Sequence, residues 1–186
     1  MAYTAFDRFI AWCRFRAALP HVSPESRVCD VGCGLDAAFL KYSQPRIRFG
    51  VGVDYQPMTR PNGGQRLVRC DIMQGLPIRD AEFDHAVMLA VLEHLENPQS
   101  LLEELFRILV PGGSLIMTWP QAAVDPLLNV LHGIGFVSQE MESDKHQSRL
   151  PLARVTTMLK EIGFNNFKHK RFEFGLNNLL VCWKPS

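Results

Sequence analysis

An α/β fold, with a mostly parallel sheet covered by helices on both faces, is what this sequence predicts, and three observations predict it. Short apolar runs alternate with amphipathic stretches along much of the chain. The glycine-containing "VCDVGCGLD" (28–36) follows the first clear run and precedes a helical pattern, as a strand–turn–helix unit requires. Acidic residues stand at three successive strand ends, Asp30, Asp54 and Asp71, where an open parallel sheet meets its ligand.

The elements follow in order. A helix of about 5–18 leads in. "RVCDV" (27–31), "RFGVGVD" (48–54), "QRLVRCD" (65–71), "DHAVMLA" (84–90) and "GSLIMTW" (113–119) read as strands. "DAAFLKYS" reads as the helix after the first strand, and "PQSLLEELFRILVPGG" as the helix after the fourth. The latter has Pro98 near its first turn, apolar Leu101, Leu102, Leu105, Ile108 and Leu109, and Pro111-Gly112-Gly113 as a stop. Between the second and third strands, "YQPMTRPNGGQ" is too short and too broken by proline and glycine for a crossover helix, so a turn or a single helical turn is expected. A further helix is expected near 123–133, and "PLARVTTMLKEIGF" (151–164) is an amphipathic helix ending at Gly163. Two strands, about 166–174 and 177–184, are joined across "GLNN" as a hairpin. No repeat, low-complexity tract or linker interrupts the chain, and one domain is expected.

Composition limits the partners. The 186 residues, 47% hydrophobic and 21% charged, suit a domain that buries roughly 70% of its unfolded surface. Twenty basic residues against 19 acidic give a net charge of +1, which recruits no polyanion, so nucleic acid is disfavoured. Cys13, Cys29, Cys33, Cys70 and Cys182 contain no C-x-x-C pair; reduced thiols in a cytoplasmic protein are expected, with no metal site. Asp7, Arg8, Arg14 and Arg16 crowd "FIAWC" too closely for a signal peptide. No run approaches 18 apolar residues, so no membrane insertion is expected.

The loop at 30–37 poses the chemical question. Gly32, Gly34 and Ala37 satisfy the G-x-G-x-x-[GA] pattern of a dinucleotide-binding turn. A pyrophosphate held there would meet the carboxylates of Asp30 and Asp36, whereas a ligand carrying an ammonium and a sulfonium would be attracted. Asp36 can also be a helix N-cap, and Asp30 a hydrogen-bonded strand end. Asp54 can accept both hydroxyls of a ribose, a feature shared with nicotinamide-binding proteins. Asp71 can accept from an adenine amino group with Ile72 against the ring, or can simply form a turn.

Taken together, "VCDVGCG" (28–34), "GVGVDYQ" (50–56), "VRCDI" (68–72), "FDHAVMLAVLEHL" (83–95) and "LLEELFRILVPGGSLIMTWP" (101–120) resemble a class I S-adenosylmethionine-dependent methyltransferase of the small, single-domain, type 11-like kind. The resemblance implies a Rossmann-like, doubly wound, seven-stranded sheet with a reversed last strand. It implies that Asp30, Gly32, Cys33 and Gly34 hold the methionine end of S-adenosyl-L-methionine. Asp54 would lie at the ribose, Asp71 and Ile72 at the adenine, Leu89 beside the cofactor, and Tyr55 would also belong to the cofactor-binding residues. The family usually has a third glycine where this chain has Asp36. The domain then divides into a lead-in (1–26), a cofactor-binding core (27–120), an acceptor-side segment (121–150), and a helix with a C-terminal hairpin (151–186).

The acceptor is less constrained. The chain lacks the N-P-P-[YF] signature and the Pro-Cys nucleophile of nucleic-acid methyltransferases. Its tail resembles small methyltransferases of bacterial surface-glycan assembly, which implies O-methylation of a small-molecule or glycan acceptor. The polar segment 134–150 is the expected acceptor side, with His146 as candidate base and His94 as the alternative. "KHKR" (168–171) is expected to alternate along a surface strand. A non-catalytic cofactor-binding protein and a nicotinamide-dependent oxidoreductase are the competing readings. The oligomeric state is open.

Overall fold

The computed structural model describes residues 5–56, 65–121 and 150–186. The expected turn at 57–64, the helix near 123–133 and all of 134–149, His146 included, lie outside the described residues.

The elements are α1 (Ala5–Ala18), β1 (Arg27–Val31), α2 (Ala38–Ser43), β2 (Phe49–Asp54), β3 (Gln65–Arg69) and β4 (Phe83–Leu89), followed by α3 (Gln99–Ile108), β5 (Leu109–Pro120), α4 (Leu152–Ile162), β6 (Asn165–Phe172) and β7 (Asn177–Trp183). They build a seven-stranded sheet in the order β3-β2-β1-β4-β5-β7-β6. β1 to β5 are mutually parallel, and β7 runs antiparallel to both β5 and β6. The expected α/β class, parallel core and reversed last strand are all present.

Alternation along the strands sends side chains to two cores. On one face, Cys29, Val31, Met88, Leu115 and Met117 pack under Leu101, Leu102, Leu105 and Ile108 of α3 and Val155 and Leu159 of α4. These are the apolar positions whose helical spacing marks the two helices in the sequence. On the other face, Val28, Val87, Ile116, Leu179 and Val181 pack under Ala18 of α1 and Phe39 and Leu40 of α2. Burying each such large side chain stabilises the fold by about 1.5–3 kcal/mol.

Several boundaries differ from expectation. α2 begins at Ala38, with Ala37 in the left-handed region as its cap at φ 44°, so Asp36 does not cap it. The strand after α3 does not wait for Pro111-Gly112-Gly113 to end the helix. It starts at Leu109, and the proline and glycines form an irregularity where pairing jumps from Phe83↔Leu109 to His85↔Ser114. In the C-terminal hairpin, "GLNN" is only partly turn. Gly175 N–H donates to Phe172 O at 3.1 Å and Leu176 N–H to Glu173 O at 3.0 Å, so the reversal is centred on Glu173 and Phe174, and both asparagines are already in β7. β6 is an exposed edge strand, as "KHKR" suggested, and its lysines and arginine protect that edge from pairing.

The N-terminal edge of the sheet is a closed polar network. Arg27 donates from Nε and Nη2 to the Asp84 carboxylate at 3.0 and 2.7 Å, and its backbone N–H donates to the same group at 2.8 Å. Buried His85 accepts at Nε2 from Ser23 N–H at 3.0 Å, which leaves Nδ1–H to donate to Ser114 Oγ at 2.8 Å. Burial lowers the His85 pKa and keeps this neutral tautomer.

Candidate functional site

The opposite, C-terminal edge is built differently. β1 ends in Asp30 and Val31, and the chain then turns through Gly32 at φ 73° and Gly34 at φ 70°. Glycine is required at position 32 on two counts: the left-handed backbone, and a Cβ there would lie 2.3 Å from the Val91 side chain. The loop is tied to the next strand by Gly32 and Cys33 N–H donating to Val53 O at 2.8 and 3.2 Å. Gly34 N–H donates to Asp54 Oδ2 at 2.8 Å, while Asp54 Oδ1 accepts from Gln56 N–H at 3.0 Å. Nothing lies within 4 Å of where a Cβ on Gly34 would be, so the loop faces open space at that residue. Gly52 lets the loop approach β2 closely: a Cβ there would meet Cys33 Sγ at 2.8 Å.

Asp30 is the anomaly. It is only 3% exposed, and its Oδ2 has no hydrogen-bond partner among the described residues. Burial, and secondly the Asp54 carboxylate, push its pKa up to about 7. A buried carboxylate without a counter-charge costs stability, and a positive group arriving beside it would remove that cost. Cys33, held beside both carboxylates, is pushed up by burial first, so its thiol stays protonated and is no nucleophile.

The remaining sequence-predicted residues are distributed along the same edge. Asp71 follows β3 and caps a short turn: Oδ1 accepts from Met73 N–H and Oδ2 from Gln74 Nε2, both at 3.0 Å. Its turn-forming role is therefore present, and each oxygen retains a second lone pair for an amino group. Ile72 beside it packs against the core. Tyr55 is exposed, with its carbonyl accepting from Arg69 Nε at 3.1 Å. Leu89 is half-buried at the end of β4. His94 is exposed at the end of a short helical turn, Leu92–His94, that follows β4. Asp36 is exposed, with its carboxylate 4.0 Å from Lys41 Nζ. Sequence reasoning brought Asp30, Gly32, Cys33, Gly34 and Asp54 into one constellation, and the structure holds them together.

It missed residues further along the edge. Thr118, wholly buried on β5, has an Oγ1 without a partner among the described residues, and so has Asn177 Oδ1 at the start of β7. Glu173, in the hairpin turn, accepts from Asn177 Nδ2, with Cys13 and the Arg14 charge of α1 nearby. The available signals were faint: a lone threonine near the end of an apolar run, and Asp7 and Arg14 seven residues apart on one face of a helix.

The site fits a ligand with the parts the sequence called for. An unpartnered buried carboxylate suits an ammonium, an open glycine loop suits close backbone approach, and Asp54 at a strand end suits vicinal hydroxyls. Among the described residues no cluster of His, Cys, Asp or Glu could hold a metal ion. Cys13, Cys29, Cys33, Cys70 and Cys182 form no disulfide with one another.

Residues 29–117 match the family model of the methyltransferase domain. A protein of Mycolicibacterium smegmatis named a probable S-adenosylmethionine-dependent methyltransferase is 32% identical over 78% of this chain, which spans only 54% of that relative's length. A carboxy-S-adenosyl-L-methionine synthase of Actinobacillus succinogenes is 29% identical, over 83% of this chain and 76% of that protein. In fold, the chain is similar to a SAM-dependent methyltransferase of Archaeoglobus fulgidus, with a TM-score of 0.76 and 18% identity over 95% of this chain and 94% of the other.

Proposed function

We propose that the chain is a class I S-adenosylmethionine-dependent methyltransferase, a reading supported by the methyltransferase-domain match over residues 29–117 and by the relatives above, and that it methylates a hydroxyl oxygen of a small or sugar-containing acceptor, as a single domain acting in the cytoplasm. S-adenosyl-L-methionine, when bound, supplies a methyl group on a cationic sulfonium. The protein's own part is to bind, orient and desolvate.

In this reading Asp30 faces the ammonium of the methionine end, and the loop of Gly32, Cys33 and Gly34 supplies its backbone to that end. Asp54 accepts from the ribose hydroxyls beside Tyr55. Asp71 and Ile72 flank the adenine, and Leu89 borders the cofactor. An acceptor hydroxyl needs a base, and His146 is the first candidate with His94 the second. The observation that supports the reading most is Asp30, a buried carboxylate whose Oδ2 has no partner among the described residues, in a loop open at Gly34. A nicotinamide cofactor would place its pyrophosphate against that same carboxylate, and repulsion disfavours it.

Calorimetry with S-adenosylhomocysteine and, separately, NADH tests the cofactor. Binding of the first and not the second is expected. Turnover of S-adenosyl-L-methionine with a panel of hydroxylated acceptors then separates an enzyme from a protein that only binds the cofactor. Strong NADH binding with no response to S-adenosylhomocysteine would overturn the assignment.

A further inference from the structure

Two neighbouring asparagines at the start of β7 point to opposite faces of the sheet and differ in their partners. Asn178 Oδ1 accepts from Gln121 Nε2 at 3.0 Å and lies 3.0 Å from His169 Nε2, and its Nδ2 reaches Trp119 O at 3.5 Å. Asn177 is equally buried, yet only its Nδ2 is engaged, by Glu173; its Oδ1 has no partner among the described residues. Buried amide oxygens are rarely left so, and each such case calls for a cause.

Asn177 is not isolated. Pro120↔Asn177 and Thr118↔Leu179 pair across β5 and β7, which makes Thr118 and Asn177 diagonal neighbours on one face. Thr118 is paired in turn with Leu89, and Val87, two residues before it, is paired with Asp30. The same face at the C-terminal edge therefore carries Asp30, Leu89, Thr118 and Asn177 in order across β1, β4, β5 and β7. The oxygens Asp30 Oδ2, Thr118 Oγ1, Asn177 Oδ1 and Glu173 Oε1 are all buried without partners among the described residues, as is Arg14 Nε on α1. Glu173 occupies its place under backbone constraint, with φ 51° at Glu173 and 55° at Phe174, a turn geometry that ordinarily takes asparagine and glycine.

We propose that Thr118, Asn177 and Glu173, with Arg14 beside them, form the binding site of a neutral, polyhydroxylated methyl acceptor. Ligand hydroxyls donate to Asn177 Oδ1 and Glu173 Oε1, and Thr118 Oγ1 can donate or accept. The unused oxygens want donors, which an apolar ring system cannot provide. The Arg14 charge acts on Glu173 and offsets it, so this pair presents no net charge to an ionic ligand. The row begins at Asp30, so the acceptor site adjoins the end of the loop assigned above to the methionine portion of the cofactor. The inference rests on that assignment. It moves the acceptor contacts from segment 134–150 to the sheet edge itself.

The test uses the full chain loaded with S-adenosylhomocysteine and saturation-transfer NMR with methyl α-D-glucopyranoside, methyl α-D-galactopyranoside and methyl α-D-mannopyranoside as probes, and ethanolamine and 2-naphthol as contrasts. At least one hexoside is expected to bind, with affinity at least tenfold lower in Thr118→Val and in Asn177→Leu and restored in Thr118→Ser. S-adenosylhomocysteine affinity in the variants should stay within twofold, which also shows that they fold. Melting temperature separates this role from a structural one. A hydroxyl that faces a ligand leaves the unliganded protein equally or more stable when replaced by the isosteric valine, whereas one that holds the fold together lowers it. Absence of hexoside binding to the loaded wild-type protein, preference for either contrast probe, or hexoside binding indifferent to both substitutions would overturn the proposal. Failure of S-adenosylhomocysteine itself to bind would instead overturn the cofactor assignment.

Discussion

The two edges of the sheet carry similar residue types and use them in opposite ways. At the N-terminal edge, Arg27, Asp84, His85, Ser23 and Ser114 answer one another's hydrogen bonds. At the C-terminal edge, Asp30, Thr118 and Asn177 are buried, and each keeps an oxygen without a partner among the described residues. Sheet geometry alone does not produce this asymmetry, since Arg27 and Asp30 belong to one strand and His85 and Leu89 to another. A satisfied network stabilises; an unsatisfied one is tolerated where a ligand completes it. The first edge is structural, and the second is the one we propose for the chemistry.

The largest effect expected is on turnover. A general base contributes about 10²–10⁴-fold, so His146→Ala should lower kcat by that order while melting temperature and cofactor affinity hold. If His146→Ala keeps nearly full turnover at saturating acceptor and His94→Ala abolishes it in a folded protein, the base is His94. Loss of stability with unchanged kcat in both variants would remove both histidines from the chemistry.

The converse substitution belongs to the other edge. His85→Leu leaves the buried Ser114 hydroxyl without its partner, at about 1–3 kcal/mol, and removes the acceptor of the Ser23 N–H. Melting should fall by about 2–4 °C per kcal/mol, with S-adenosylhomocysteine affinity unchanged. A cofactor defect in this variant would break the division between the edges. pH sharpens it further. Burial lowers the His85 pKa, so its neutral form stabilises the fold above the ordinary 6.5 and that contribution is lost as pH falls below it.

Asp30 has the opposite sign. Its carboxyl, raised from 3.8 to about 7, is protonated in the folded protein across a range where the unfolded chain has ionised. Its contribution to stability is therefore complete below the lower value and lost as pH rises through the upper. Asp30→Asn should raise the melting temperature of the unliganded protein most at pH 8 and hardly at pH 5, and should weaken S-adenosylhomocysteine binding. At pH 6, binding to the wild-type protein should release a proton, read from the dependence of calorimetric enthalpy on buffer ionisation, and the Asp30→Asn variant should not show that release. Asp54→Ala should weaken the same binding by roughly 1.5–3 kcal/mol, about ten- to a hundredfold, through lost hydroxyl contacts.

How much of this was legible in the sequence depended on whether the signal was local. Strands β1, β2 and β4 are continuous apolar runs, and the leucines of α3 recur at helical spacing, so period and length identify them without tertiary help. The loop of Asp30, Gly32 and Gly34 was legible because its glycines and carboxylate are close in sequence and their chemistry conflicts with a phosphate. The boundary at Leu109 was not, because nothing local announces that a helix passes directly into a strand and that Pro111-Gly112-Gly113 will be absorbed as an irregularity within it. Asn177 reads as turn in the sequence because asparagine soon after glycine usually is. Its meaning comes from register: β7 returns antiparallel beside β5 and sets Asn177 diagonal to Thr118, a relation that no local pattern contains.

Asp36 is where the smallest effect is expected, and it separates local from ligand-directed charge within one loop. It lies six residues from Asp30 and outside the buried edge, exposed, with Lys41 Nζ at 4.0 Å. An exposed pair of this kind contributes about 0–1 kcal/mol, and the helix cap role falls to Ala37. Asp36→Gly should therefore change stability by less than about 1 kcal/mol, the upper end for an exposed ion pair, and leave S-adenosylhomocysteine affinity within twofold. Tighter binding would mean that the carboxylate obstructs the carboxylate of the methionine end, at the position where the family ordinarily has glycine. Weaker binding at unchanged stability would mean that Asp36 attracts the ligand, and the buried edge would then extend one turn further along the loop than Asp30 and Gly34 define.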